Sequence, residues 1–341
     1  KYTRYFQVSL NGENKKEIFN VDQLIKNKET SPDGIYEILV EDVKIRDVSG
    51  VDFYPEMTQS NMMVYNSLNY RHWDTWEDGK YSHVIVSKSD GTDKMDIMTS
   101  EPFDCPQKPF GGAEDYVWAP DGKRLLYVTK KLFGTEYALS TNTDIYQYEL
   151  SSSQTTNLTE ENKGYDTQPA YSFNGTLAYC QMKRDGYESD KNDIIVLLNG
   201  KKINLTAHWD GTVNAFHWSN DGKKIYFTAA VMGTVHLFEI ELPKSANKFA
   251  LMQPQPKQIT NGQFDIRGIV GHVDQTMIVG RGDMNHATEL YAIDLSSSKM
   301  KQLTHANDDV YKNLTLGNVE RRITRATDGA DLHSWVISPP N

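Results

Sequence analysis

A strand, an Asp-Gly or Asn-Gly turn and a second strand recur through this chain, each copy followed by a further hairpin that ends in Leu-Thr or Ile-Thr. The first half of the unit reads TSPDGIYEILV (30 to 40), WAPDGKRLLYV (118 to 128), YSFNGTLAYC (171 to 180) and WSNDGKKIYFT (218 to 228), with a worn copy at HVDQTMIVG (272 to 280). The turns fall at Asp33, Asp121, Asn174, Asp221 and Asp274, in steps of 88, 53, 47 and 53 residues. Glycine after Asp or Asn accepts positive φ without a Cβ clash, which suits such turns. The second half appears at 4 to 19, 83 to 99, 144 to 159, 193 to 206, 236 to 260 and 289 to 304, so six outer hairpins accompany five inner ones. Strands such as LLYV and KIYFT are apolar at successive positions, as expected of a sheet covered on both faces. A period of this length made only of strands and turns predicts an all-β fold, a β-propeller of four-stranded blades.

One repeating period accounts for nearly all 341 residues, so the chain reads as a single repeat domain over 1–318. Its predicted parts are a partial blade at 1–20, blades at 31–99, 116–159, 168–206, 214–260 and 266–304, and an insertion at 46–81. The chain opens on an outer hairpin whose inner partner would precede Lys1, and closes at 319–341 on a strand, an Asp328-Gly329 turn, a strand and the pair Pro339-Pro340. Both ends are therefore expected to continue, the second toward another domain.

The net charge of −10 disfavours nucleic-acid backbones and anionic membranes, which attract clustered Lys and Arg. No segment approaches the ~18 apolar residues of a membrane helix. Cys105 and Cys180 are too few for a disulfide framework and read as structural thiols. There is no GxSxG, HExxH, EF-hand, Walker or GxGxxG motif, so no catalytic residue, metal or cofactor is expected within the chain. His208 and His217 read as flanking a strand, and Arg281-Gly282-Asp283 as an ordinary turn.

The insertion is where binding chemistry concentrates. Residues 46–81 are dense in aromatics and charges, and loops inserted into a rigid repeat commonly bind ligands. A helix is expected around Gln59 to Leu68.

The inner hairpins resemble the WD40-like repeats shared by TolB and by the propeller of the prolyl oligopeptidase (S9) family. RHWDTWEDGKYSHVIV (71 to 86) is similar to a signature of bacterial peptidases of the dipeptidyl peptidase 5 type, and 319 to 340 resembles that family's junction between propeller and α/β-hydrolase domain. The resemblance implies a propeller, usually seven-bladed and here represented by about five complete blades plus part of another, that belongs to a serine peptidase whose Ser-Asp-His triad lies elsewhere. This chain alone is then expected to be inactive. Its role would be to restrict entry to short or unfolded peptides and to help position the peptide amino terminus. An ammonium is cationic near neutral pH, so carboxylates facing the chamber would anchor it. The candidates are Asp74, Glu77 and Asp78 in the insertion and Glu114 with Asp115 before the WAPDG turn; Trp73 and Trp76 would supply apolar walls, and Arg71 would meet a backbone carbonyl or pair with an acid. The implied partners are a hydrolase domain of the same protein and peptide substrates, in the periplasm or otherwise outside the cytoplasm of a Gram-negative bacterium. An open ring would also expose strand edges to self-association. The competing expectation is a TolB-like propeller that only binds protein partners.

Overall fold

The Asp-Gly and Asn-Gly pairs build one turn four times over. In each, the glycine N–H donates to the carbonyl three residues back, Gly34 to Ser31, Gly122 to Ala119, Gly175 to Ser172 and Gly222 to Ser219, at 2.8, 3.0, 2.9 and 2.9 Å. The glycine φ values of 74°, 66°, 82° and 65° are the positive ones that a side chain resists. A serine hydroxyl braces three of these turns, Ser31 donating to Asp33, Ser172 to Asn174 and Ser219 to Asp221. The worn copy turns without glycine, on Asp274 at φ 51°, a conformation Asp tolerates better than most residues.

The computed structural model describes residues 5–18, 29–243 and 254–340. Arg4 and Phe19 of the first predicted hairpin, residues 244–253 of the hairpin expected at 236–260, and Asn341 lie outside them. Two compact units divide the chain, Ile25–Asn204 and Lys1–Leu24 with Leu205–Asn341.

In the first unit three antiparallel four-stranded sheets follow one another. They are Glu29–Thr30, Tyr36–Lys44, Lys80–Lys88 and Met95–Asp96; Tyr116–Trp118, Arg124–Thr129, Asp144–Glu149 and Gln154–Asn157; and Asp166–Tyr171, Leu177–Gln181, Asp193–Leu198 and Lys201–Asn204. The run LLYV becomes intelligible here. Side chains alternate between the faces of a strand, and Leu125 and Tyr127 pack with Ile38, Val84 and Val86 of the first sheet. Leu126 and Val128 pack on the other side with Leu177, Tyr179 and Ile195 of the third. Both faces of the middle sheet are thus covered by neighbours, and each fully buried aliphatic or aromatic side chain contributes about 1.5–3 kcal/mol. These are propeller blades.

The second unit repeats the pattern with Val213–Trp218, Lys224–Val231, Thr234–Glu241 and Lys257–Gln258, then Asp265–Val273, Thr276–Gly282, Glu289–Asp294 and Met300–Gln302. Tyr226 and Leu237 of the former meet Ile266, Met277, Val279 and Ile293 of the latter. Two two-stranded hairpins complete it, Tyr5–Gln7 with Lys16–Ile18 and Asn318–Arg325 with Asp331–Ser338.

Three sequence expectations change. No helix forms at Gln59 to Leu68; the insertion's helix is the single turn Gly50–Phe53. Gly50 N–H donates to the Met62 carbonyl at 2.6 Å, Val64 N–H to the Val48 carbonyl at 2.8 Å, and Ser49 and Met63 form a bridge, so residues 62–64 are strapped in extended form beside 48–50. His217 lies within a strand, not beside one. Arg281 lies within a strand, one residue before its end, with its guanidinium against the rings of Phe264 and Tyr291, 4.1 and 4.7 Å from the centroids, while Asp283 caps the next turn by accepting from Asn285 and His286 N–H groups.

Candidate functional site

The base of the insertion is closed by backbone contacts. Ile45 and Arg46 N–H both donate to the Gly79 carbonyl, at 2.9 and 3.1 Å. Gly79, at φ 80°, lies so near the Arg46 carbonyl that a Cβ there would overlap it. That closure sets Arg46, from the end of the Tyr36–Lys44 strand, beside Glu77 and Tyr81. Asp104 arrives from the connection after the first sheet, and Phe133 and Tyr137 from the short helix Gly134–Leu139 and its N-cap.

These six side chains line a narrow cleft of about 30 Å³. A water needs at least ~10–15 Å³ measured this way, so the space suits one or two waters or an ammonium group, not a large side chain. Burial raises the Glu77 carboxyl above the usual carboxylate range; Asp104 and Asp78 add to the effect, and Lys108 and Arg46 oppose it. Burial also raises Asp104, although its Oδ1 accepts from the Ser82 N–H at 2.8 Å and faces the Lys108 ammonium at 2.9 Å. The phenols of Tyr81 and Tyr137 are pushed up by burial as well. Arg46 holds its guanidinium 5.9 Å from the Tyr81 ring centroid and 5.4 Å from that of Phe133. Two carboxylates and a guanidinium thus face one aromatic-walled recess, which can take a cation on Glu77 and a carbonyl oxygen on Arg46.

Of the residues singled out from the sequence, Glu77 lines this cleft. Asp78 is exposed and accepts from Lys80 N–H at 3.0 Å. Arg71 spends its Nε–H on the Trp73 carbonyl and lies over the Trp76 ring at 5.4 Å, bracing the hairpin Arg71–His72, Thr75–Trp76. Trp76 stacks with Tyr65 and Tyr70 at 6.0 and 6.2 Å. At the hairpin tip Trp73 adopts φ 49° and meets Phe110 edge-on at 5.3 Å, with Asp74 exposed beside it. Glu114 is exposed. Asp115 is buried, and its Oδ2 accepts the Gln107 N–H at 2.8 Å. Burial lifts its carboxyl to about 7, the Gln107 hydrogen bond resisting and the Glu114 charge assisting. Both cysteines are buried free thiols, raised by burial.

Sequence reasoning missed Arg46, Asp104, Tyr81 and Tyr137. Arg46 and Tyr81 lie at the two ends of the insertion with nothing local to mark them, and Asp104 and Tyr137 come from segments distant in sequence. Among the described residues no group of three or more His, Cys, Asp or Glu is placed to hold a metal ion. Among the same residues no helix is long and apolar enough to cross a membrane.

No family model matches the chain. It is 34% identical over 316 residues to dipeptidyl-peptidase 5 of Porphyromonas gingivalis, covering 91% of this chain and 45% of that protein. The chain thus spans less than half the length of the curated relative it matches. Acylaminoacyl peptidase of Pyrococcus horikoshii shares the fold with a TM-score of 0.63 at 16% identity, over 98% of this chain and 47% of that one. Dipeptidyl peptidase 4 of Porphyromonas gingivalis does so with a TM-score of 0.56 at 10% identity, over 92% and 42%. The chain is therefore a β-propeller similar over most of its length to dipeptidyl-peptidase 5, with the fold of S9 peptidase propeller domains.

Proposed function

We propose that this propeller is the substrate-admitting part of a serine dipeptidyl or oligopeptidyl peptidase, and that its Glu77 cleft takes the free amino end of a short peptide. The single observation that carries the reading is Glu77 itself, a half-buried carboxylate in a recess of ammonium size. Arg46 supports it, since a guanidinium beside the acid meets the first carbonyl oxygen of a peptide whose amine lies on Glu77. The hydrolase domain that would cut such a peptide is a partner within the same protein. An extracytoplasmic setting, inferred from resemblance alone, belongs to the same proposal.

Peptide titration tests it. Calorimetry of the 341-residue chain with Ala-Ala-Phe-amide and with its N-acetylated form should show the free amine binding about tenfold more tightly, the equivalent of roughly 1.4 kcal/mol for one partly desolvated charge pair. Glu77→Gln should abolish that preference and leave the acetylated peptide unaffected. Equal affinities in the unsubstituted chain would sink the reading.

A further inference from the structure

A second cation sits beside the cleft, paired with one of its walls. The Lys108 ammonium lies 2.9 Å from Asp104 and 3.9 Å from Asp42, on a side chain that is 45% exposed. The loop carrying it is rooted at both ends, by Cys105 N–H on the Ser82 carbonyl at 2.8 Å and by Gln107 N–H on Asp115 at 2.8 Å. The backbone is therefore held while the lysine stem reaches over from the surface. Glu77 and Asp104 thus have Arg46 and Lys108 as counter-charges, with the acids Asp42 and Asp78 close by. An incoming ammonium gains less from Asp104 while Lys108 already holds that carboxylate.

We propose that Lys108 is a specificity-determining residue, a tethered ammonium that pairs with Asp104 at the edge of the cleft and that a peptide amine must displace. Asp42 gives the displaced lysine somewhere to go. It is 62% exposed and already within 3.9 Å, so a small swing of the side chain exchanges one carboxylate partner for the other. With Lys108 withdrawn, Asp104 and Glu77 are both open to a ligand that brings its own positive charge. Peptides with a blocked amine cannot make that exchange. The inference rests on the reading of the cleft given above and adds an internal competitor to it.

The same two peptides test it. Lys108→Met should bind Ala-Ala-Phe-amide about tenfold more tightly than the unsubstituted chain, with the acetylated peptide unchanged. Lys108→Arg, which keeps the charge, should behave like the unsubstituted chain. Thermal melting of both variants checks that the exposed substitution leaves the fold intact. If the unsubstituted chain discriminates between the peptides but Lys108→Met fails to gain affinity for the free amine, or gains equally for both, the role of Lys108 is refuted and the cleft stands. If the unsubstituted chain does not discriminate, both readings fall.

Discussion

Asp115→Asn should stabilise this protein at alkaline pH and do much less in acid. The carboxyl is 4% exposed, and burial moves it from an ordinary value of 3.8 to about 7. A carboxyl whose folded-state value is raised binds its proton more tightly when folded. Its favourable contribution is fully present below the unfolded value and is lost as pH climbs through the folded one. Each tenfold gain in proton affinity on folding is worth about 1.36 kcal/mol, so the loss accumulates to roughly 4 kcal/mol once Asp115 is ionised, and roughly 2.5 kcal/mol of it falls between about pH 5 and pH 8. Asparagine imitates the protonated acid: its amide oxygen can still accept the Gln107 N–H, and it never ionises. Urea unfolding of both proteins at those two pH values, followed by tryptophan fluorescence, reads the difference directly. Asp166, also raised to about 7 by burial, titrates in both proteins and cancels in the subtraction. The variant should gain roughly 2.5 kcal/mol on the unsubstituted chain from the lower pH to the higher. A difference independent of pH, or one that shrinks as pH rises, would show that Asp115 is not held protonated by its burial.

Gly111→Ala should destabilise the chain by at least about 2 kcal/mol, because a Cβ at Gly111 would overlap the Asp115 carboxylate and the Gln107 backbone, which cannot step aside; a thermal unfolding midpoint unchanged from the parent would contradict the packing described. Tyr179→Phe should be neutral or stabilising by up to about 1 kcal/mol, because the hydroxyl of this 2% exposed ring has no hydrogen-bond partner among the described residues. Loss of more than about 1 kcal/mol in urea unfolding would mean that the hydroxyl has a partner after all.

The repeat was legible because its chemistry is local. Ser-x-Asp-Gly at 31–34 and Ser-x-Asp-Gly at 219–222 carry within four residues both the hydroxyl that braces the turn and the glycine that permits it. Strands apolar at successive positions, such as Leu125 to Val128, need two covering layers, and only stacking against neighbouring sheets supplies them. The insertion was legible as a place and not as a shape. Gln59 to Leu68 contains no Pro or Gly and reads as a weak helix, yet residues 62–64 spend their hydrogen bonds on 48–50, a pairing that no window over 59–68 contains.

The candidate site divides along the same line. Glu77 was visible as an acid among aromatics, whereas Arg46, at the first position of the insertion, and Asp104, in a connecting loop, carry no local mark of binding. Arg46 is brought to Glu77 by the approach of Gly79 to its carbonyl, a contact that only a residue without Cβ allows, and Asp104 is held there by the Ser82 N–H. Asp115 shows the converse. It stood beside Glu114 as an equal candidate, but one carboxylate is exposed and the other is turned inward onto the Gln107 N–H. Adjacent residues at the end of a short turn point in different directions, so acidity in the sequence marks where charge is available and burial decides what it does. For Asp115 that is holding the loop that carries Lys108; for Glu77 it is facing an opening the size of an amine.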